Sequence, residues 1–333
     1  MNDLNMNRLP VPTWNQCGVN SAPKAAALPE IPGDDWGEAN IAFTLPAGIG
    51  EAENDFTAFS ESGMGEAVDT YLLENATVRH ALTVAEDTKV EAPALFEVTL
   101  DAAHPNALSV LSVDAKAGSS LTVVQVQLLG SHARRWNAVA IEEAKSAKVE
   151  QVRIELGGAL SACGAKAQLA AAKSEYDLDA VYFGSGDAVL DHNDVSVHTA
   201  KDTLCEMHTA GVLTGHADKI LRGTIDFRRG AKRGVGHESE DVLLFSPAAR
   251  NRTAPLILCG EEEVEGQHAA SIGRLDEAKL YYLRSRGLSE EQARRLMVDA
   301  RFAPAIEKIP LAALQDEVRE AAARRLDDAE SMD

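Results

Sequence analysis

Residues 255–310 read PLILCGEEEVEGQHAASIGRLDEAKLYYLRSRGLSEEQARRLMVDARFAPAIEKIP, and the pattern of the chain changes within this stretch. Its first third is a short apolar strand, followed by an acidic turn and by His-Ala-Ala-Ser-Ile-Gly at 268–273. The remainder has the periodicity and the start and stop signals of helices. The stretch predicts that a strand-rich part of the chain ends here and that a helical C-terminal part follows.

The first predicted helix begins after residue 275. Asp276 stands at the expected N-cap position, and Gly287 marks the C-terminal stop. The helix should present one apolar stripe to the rest of the protein. This stripe consists of Leu280, Tyr282 and Leu283.

Two further helices are predicted. Ser289 and Gln292 have the spacing of a capping box, and Pro304 is expected to end the helix that they start. The predicted buried face of this second helix comprises Ala293, Leu296, Met297 and Ala300. A third helix is predicted from Leu311 to Asp328, with one apolar face. That face comprises Leu311, Leu314, Val318, Ala322 and Leu326.

Upstream of the helices, lysines recur at a nearly constant interval. Their spacings are 27, 29, 28, 28 and 31 residues, and the lysines are Lys89, Lys116, Lys145, Lys173, Lys201 and Lys232. A fixed period of this size favours a solenoid, in which each coil stacks on the next. We therefore expect these lysines to stack at corresponding corners of successive coils, and we expect none of them to be catalytic.

Short apolar and β-branched runs lie between the lysines, for example LTVVQVQLL at 121–129. Such runs alone would suggest a sandwich or a barrel, whereas the period favours a β-solenoid with apolar rows facing inward. Strict alternation supports strands with one buried face. In the clearest example, Val152, Ile154 and Leu156 alternate with Arg153 and Glu155.

The chain has 333 residues, of which 45% are hydrophobic and 25% are charged, a soluble globular composition that can bury a large core. The predicted fold is mainly β, with a solenoid core and a helical C-terminal domain. We expect a short irregular or helical N-terminal arm over residues 1–80. The β-solenoid is expected over 81–270 and the helical domain over 271–333.

Acidic residues outnumber basic residues by 52 to 32, a net charge of -20, which disfavours nucleic acid and anionic membranes as partners. No apolar run approaches the roughly 20 residues of a membrane-spanning helix. The N-terminal sequence MNDLNMNRLPVPTW lacks the features of a secretion signal, so we expect a cytoplasmic protein. The four cysteines form no Cys-x-x-Cys pair, which argues against a stable cysteine-ligated cluster or zinc site.

The block EVEGQHAASIGRLDEAKLYYLRSRGLSEEQARRLMV, residues 263–298, resembles the C-terminal signature of the SufB/SufD family of iron-sulfur cluster assembly proteins. The resemblance extends upstream through 181–198, 219–232 and 241–257. The family's core is a right-handed parallel β-helix flanked by helical segments. The resemblance therefore implies a β-solenoid, which is the fold that the lysine period also favours.

The resemblance gives His268 a possible role. In SufD-like proteins the histidine of this motif lies near the SufB interface and is implicated in holding a nascent cluster. Neutral imidazole is a suitable iron ligand. A plainer alternative is that His268 bridges the last coil and the first helix by hydrogen bonds. We expect no stably bound cofactor or metal, and at most a transient iron-sulfur cluster in a complex.

The resemblance also implies partners. A SufB-like subunit would pair through the terminal coils, a homodimer is possible in isolation, and a SufC-like ABC ATPase would dock on the C-terminal helices. Aromatic residues and arginine often anchor interfaces. The candidate docking residues of this type are Tyr281, Tyr282, Arg284 and Arg286.

Departures from the family pattern favour SufD over SufB. Gly266 stands where many relatives have a cysteine, and Ala269 stands where SufB-like members have a glutamate. Glu240 aligns with the SufB-like scaffold cysteine. The thiolate expected to accept sulfur is therefore missing, and the resemblance implies a non-enzymatic scaffold subunit of the SufD type.

Other interpretations remain open. Histidine and aspartate together suit zinc or iron, which makes one loosely spaced group a candidate metal site. Its members are His192, His198, His208, His216, Asp191, Asp194 and Asp218.

The GSGD segment at 184–187 lacks the GK[ST] ending of a phosphate loop. Cys205 and Cys259 are expected to be buried thiols. The alternative function is a β-solenoid hydrolase or lyase that acts on acidic polysaccharide.

Overall fold

The computed structural model describes residues 40–44, 49–51, 78–99, 105–274 and 277–330, together with Leu9, Val11 and Ala47. Strands occupy most of the described chain before residue 275, and helices occupy most of it afterwards. The predicted class, a mainly β solenoid with C-terminal helices, is confirmed. The N-terminal arm lies mostly outside the described residues, as does Asp276.

Sixteen strands lie within the described residues. They are β1 (Asn40–Thr44), β2 (Ile49–Glu51), β3 (Val78–Val84), β4 (Ala94–Thr99), β5 (Asn106–Ala115), β6 (Ser120–Gln127), β7 (Arg134–Glu143), β8 (Lys148–Leu156), β9 (Leu160–Leu169), β10 (Glu175–Gly184), β11 (Val189–His198), β12 (Leu204–Leu213), β13 (Asp218–Phe227), β14 (Gly234–Leu244), β15 (Arg250–Cys259) and β16 (Val264–Arg274). Because β16 runs to Arg274, the strand-rich part extends past the boundary expected at residue 270.

Successive strands alternate between two sheets. The odd sheet has the order β15-β13-β11-β9-β7-β5-β3-β2, and the even sheet has the order β1-β4-β6-β8-β10-β12-β14-β16. From β3 to β16 all pairings are parallel, whereas β1 and β2 pair antiparallel with β4 and β3. Each coil therefore contributes one strand to each sheet, which is the arrangement of a flattened parallel β-solenoid.

The lysine repeat marks one corner of this solenoid. At this corner one residue per coil has a positive φ, and its N–H donates to a carbonyl of the next coil. The series includes Gly118 N to Lys145 O at 2.9 Å, Lys173 N to Lys201 O at 3.2 Å and Asp202 N to Lys232 O at 2.8 Å. Lys116, Lys145, Lys173 and Lys201 therefore lie at equivalent corners. Lys145 and Lys201 directly precede the residue with positive φ, and the other two lysines are shifted from this place by one position. This prediction is confirmed.

Three helices follow the strands: α1 (Glu277–Ser285), α2 (Glu290–Ile306) and α3 (Ala312–Glu330). Helices α2 and α3 cover the outer face of the even sheet, and strands and helices share one apolar cluster there. The strands contribute Val152, Ile154, Leu156, Val181, Phe183 and Val212, and the helices contribute Val298, Phe302, Ile306, Leu314, Val318 and Leu326. Burying each large apolar side chain contributes roughly 1.5–3 kcal/mol, so this shared cluster holds the helical layer on the sheet.

The capping box of α2 is confirmed, since Gln292 N donates to Ser289 Oγ at 3.1 Å and Ser289 N donates to Gln292 Oε1 at 2.8 Å. The prediction that Pro304 ends this helix is wrong, because α2 continues to Ile306. Proline removes the N–H that would bond to the carbonyl of residue 300. Ala300 lies on the exposed side of α2, where water can hydrogen-bond to that carbonyl instead.

The predicted buried faces are partly wrong. On α2, Ala293 is buried, but Leu296 and Ala300 are exposed and the sheet instead contacts Val298 and Phe302. The larger side chains of Val298 and Phe302 fill the space between the helix and the sheet. Two other predicted members, Tyr282 of α1 and Leu311, are also exposed. The rest of the predicted α3 face is buried: Leu314, Val318, Ala322 and Leu326.

Strand β8 has the opposite orientation from the one that its alternation predicted. Val152 and Ile154 face the helices, whereas Arg153 pairs across the solenoid interior with Asp194 of β11. The alternation correctly indicated a strand, but both of its faces are buried. The helical layer turns the outer face of the even sheet into a second apolar core.

Candidate functional sites at the open end and on the helical layer

The last coil leaves one end of the solenoid open. β15 is the last strand of the odd sheet, and β16 is the last strand of the even sheet; in the part of the chain that the structure describes, no strand pairs with their outer edges. Unpaired N–H and C=O groups on such edges can pair with another chain. We call the surface formed by β15 and β16 the open end.

His268 lies at the open end, on β16, and its side chain is exposed. Gly266 lies two residues earlier, on the same face of the strand. A Cβ atom on Gly266 would lie 3.0 Å from Phe227 and 3.2 Å from Ile257, which are side chains of the odd sheet. His268 is therefore on the side of β16 that faces the solenoid interior, and it is exposed because no described coil lies above it.

Glu240 of β14 lies one coil below the open end, and both oxygen atoms of its carboxylate have partners. Its carboxylate accepts a hydrogen bond from Tyr182 Oη at 3.0 Å, and it also binds the Lys219 ammonium group and the Thr253 hydroxyl. The resemblance implies that this position corresponds to the SufB-like scaffold cysteine. A buried ion-paired carboxylate therefore occupies that position.

Glu238 lies two residues earlier on the same face of β14, and it is the register partner of His268. Glu238 is 7% exposed, and within the described part of the chain its Oε2 atom has no hydrogen-bond partner. Burial raises its pKa to about 7, and the negative charges of Asp194 and Glu240 act in the same direction. A carboxyl group with an unused oxygen thus lies directly beside the strand that carries His268.

The prediction of two buried thiols is half right. Cys205 is buried in the apolar interior, where burial raises the pKa of its thiol. Cys259 is exposed, which contradicts the prediction. Cys259 is the last residue of β15, and no further coil in the described part of the chain covers it. Its Sγ lies 3.3 Å from the carbonyl oxygen of Glu261.

The candidate group of histidines and aspartates is dispersed. His192 and His198 are buried, His208 bonds to Ser239 at 2.9 Å, and His216 is exposed beside Asp187. Burial lowers the pKa of His198 to about 4. Within the described ranges, no three His, Cys, Asp or Glu side chains are arranged to hold a metal ion. The GSGD segment is a turn between β10 and β11, with no helix after it.

Sequence reasoning missed the polar interior of the solenoid. Three buried ion pairs cross it: Arg135 with Glu155 at 2.8 Å, Arg153 with Asp194 at 2.7 Å, and Lys219 with Glu240. His192 lies among these cations, and burial lowers its pKa well below the usual value. The only signal in the sequence was the charged residues that alternate with apolar ones in β8. The charged row was interpreted as an outer face because the sequence predicted the helices but not the sheet face that they cover.

Three of the four predicted docking residues lie on helix α1, and the fourth, Arg286, lies in the turn that follows it. Tyr281 is 76% exposed and Tyr282 is 56% exposed. The Arg286 guanidinium lies 5.2 Å from the centre of the Tyr282 ring, and Arg284 pairs with Glu290 at 3.4 Å. α1 and the turn after it thus present two aromatic rings and two cations to solvent.

An apolar groove of about 470 Å³ lies between α2 and α3, and Leu288, just before α2, also lines it. Leu296, which was predicted to be buried, lines it and is 46% exposed. Val298, Phe302 and Leu326 form its base, and Arg295 and Arg319 also line it. Sequence reasoning missed this groove because it assigned Leu296 to the buried face. We call Tyr281, Tyr282 and this groove together the helical docking surface.

These features define the class of protein: a parallel β-solenoid with an open end and a helical layer on one sheet. The family model described as SUF system FeS cluster assembly, SufBD core domain, matches residues 64–301. The chain belongs to the SufBD family and is a SufD-like member of it. Among the described residues, no helix is long and apolar enough to span a membrane.

Three curated relatives illustrate the similarity. The iron-sulfur cluster assembly protein SufD of Bacillus subtilis is 32% identical over 135 residues, 40% of this chain and 31% of that protein. A SufBD family protein of Pyrococcus horikoshii is 41% identical over 100 residues, 30% of this chain and 22% of the relative. A SufBD family protein of Synechocystis is 25% identical over 182 residues, 54% of this chain and 40% of the relative. The matches thus span less than half of each relative's length.

Proposed function

We propose that this protein is a non-enzymatic scaffold subunit of a cytoplasmic SUF-type iron-sulfur cluster assembly machinery. It pairs with a SufB-like subunit through the open end and binds a SufC-like ATPase through the helical docking surface. The observation that carries the proposal is the open end itself, where two strand edges and the exposed His268 lie together. Family membership supports the same role.

His268 holds a nascent iron-sulfur cluster transiently in this proposal, while SufB supplies the sulfur-accepting thiolate. Two features support this division of labour. Gly266 offers no thiol two residues before His268, and Glu240 is committed to a buried ion pair with Lys219. The polysaccharide-active alternative has less support, since helices cover the outer face of the even sheet that a long substrate would need.

The ATPase contact is tested by titrating a SufC-like protein into the full chain. Tyr282→Glu and Leu296→Glu should each weaken binding by at least about tenfold, because each places a carboxylate in an apolar contact. Lys145→Glu is the matched control, since it changes charge at an exposed corner of the solenoid. Normal binding by both helix variants would exclude the helical docking surface as the ATPase site.

The role of His268 is tested in the same protein set. His268→Ala should reduce cluster reconstitution in the presence of SufB while leaving ATPase binding and folding unchanged. His237→Ala is the control, because His237 lies on the outer face of β14 and bonds to Glu206 at 2.8 Å. If His268→Ala abolishes ATPase binding instead, the assignment of the two surfaces is wrong.

A further inference from the structure

We propose that Glu238 and His268 together form this chain's half of a ferrous iron site at the open end. The inference rests on the proposed function, which supplies iron as cargo, and it adds Glu238 as a second protein ligand. The remaining ligands come from the partner subunit or from water.

The two side chains are placed by the solenoid. Glu238 and His268 are register partners on the parallel strands β14 and β16. Partners in neighbouring parallel strands lie about 4.8 Å apart and point to the same face. Gly223, on the opposite sheet, leaves room for the carboxylate, since a Cβ there would lie 1.7 Å from Glu238 Oε1. Glu238 therefore occupies the interior directly below the layer that contains His268.

Glu238 differs from Glu240 in its hydrogen-bond partners. Both glutamates lie on the same face of the same strand, and both are buried. Glu240 is bound by Tyr182, Lys219 and Thr253, whereas Glu238 Oε2 has no hydrogen-bond partner among the residues that the structure describes. A buried polar atom without a partner is costly. A cation bound between Glu238 and His268 would supply the missing interaction.

The donor set fits ferrous iron. Carboxylate oxygen and imidazole nitrogen are both common ligands of divalent first-row metals. Two protein ligands do not complete a coordination shell, in agreement with the lack of any three-ligand group among the described residues. The geometry thus points to a weak, open site that a partner at the open end completes.

The test is an anaerobic titration of the full-length chain with Co²⁺, whose visible absorption reports coordination, followed by Fe²⁺ competition. Glu238→Gln and His268→Ala should each weaken binding by at least about tenfold. Glu238→Asp keeps the carboxylate and should retain more affinity than Glu238→Gln. Glu265→Gln is the matched control, because Glu265 is an exposed glutamate on the outer face of β16, 3.6 Å from His237.

The inference is overturned if Glu238→Gln binds Co²⁺ as tightly as the wild type, or if the wild type shows no cobalt-dependent absorption. Gln fills the same space as Glu, so a packing role alone would leave metal binding unchanged. Pairing with SufB is measured separately by size-exclusion chromatography without metal. If the chain pairs with SufB but Glu238→Gln does not change Co²⁺ binding, only this inference is overturned. If the chain does not pair with SufB but its Co²⁺ binding still depends on Glu238, the proposed function is overturned.

Discussion

Glu143 gives a prediction at the scale of a single residue. It ends β7 with its side chain fully buried, and burial, with the charge of nearby Asp177, raises its pKa well above 4.5. The unfolded chain loses this proton at a lower pH than the folded protein. Stability should therefore fall as pH rises above the unfolded pKa, by about 1.4 kcal/mol per pH unit, until the folded pKa is reached.

The side chain introduced by Glu143→Gln cannot ionise, so this variant should not show the fall in stability that ionisation of Glu143 causes as pH rises. The variant's stability relative to wild type should increase with pH above about 4.5 and stay constant below about pH 3.5. Urea unfolding at several pH values measures the difference. Glu142→Gln, at the exposed neighbouring position, is the control and should keep the wild-type profile. A constant difference between Glu143→Gln and wild type across pH would contradict the prediction.

At this scale the sequence located residues better than it assigned their environments. The Ser289–Gln292 capping box was predictable because it depends only on local spacing. Cys259 was misjudged because its exposure depends on where the last coil ends. The buried pair Arg153–Asp194 joins residues 41 positions apart, and no local pattern encodes such a contact.

Lys308 gives a prediction at the scale of secondary-structure elements. It follows α2, and its ammonium group pairs with Glu150 of β8 and Asp179 of β10, which ties the helical layer to the even sheet. Its side chain is 34% exposed, so water partly screens these pairs. Lys308→Met keeps the apolar stem and should lower the free energy of unfolding by about 1 kcal/mol.

Chemical denaturation followed by far-ultraviolet circular dichroism measures this effect. Lys145→Met is the matched control, because Lys145 is exposed at a solenoid corner, and its stability should stay close to wild type. Equal losses in the two variants would show that the pairs of Lys308 contribute nothing specific to the packing of the helices.

At the scale of elements, the existence of helices was predictable and their orientation was not. Periodicity located α1, α2 and α3, since each is amphipathic. Orientation depends on the surface that a helix meets, and the outer face of the even sheet selected Val298 and Phe302 over Leu296. For the same reason Pro304 is tolerated in α2, on the side away from the sheet.

At the scale of the whole molecule, the lysine period was enough to predict the solenoid. Parallel coils repeat a turn at a fixed interval, so the sequence carries the architecture in its spacing. Spacing alone does not specify what fills the interior. An apolar core lies along the lysine corner and includes Val113, Val139 and Phe227, whereas charged pairs cross the interior beside it. The shared apolar cluster also shows that the helices and the even sheet form a continuous structure rather than separate layers.

The open end gives the prediction at this scale. β15 and β16 leave two strand edges without described neighbours, and Pro255 lies in β15, where an edge strand tolerates it. Without a SufB-like partner, a second copy of the chain can pair with these strand edges. The isolated protein should therefore form a symmetric dimer through this end.

Ala270→Lys tests this dimer. Ala270 is exposed on the interior-facing side of β16, two residues from His268, so a lysine there would place a charge in the contact of both copies. The dimer dissociation constant, measured by sedimentation equilibrium, should rise by at least about tenfold. Ala300→Lys, on the exposed side of α2, should leave it unchanged. A wild-type monomer at all concentrations would show that unpaired edges do not suffice for pairing, and a dimer insensitive to Ala270→Lys would place the contact elsewhere. Addition of SufB should replace the homodimer in the wild type, because both partners would compete for the same two strand edges.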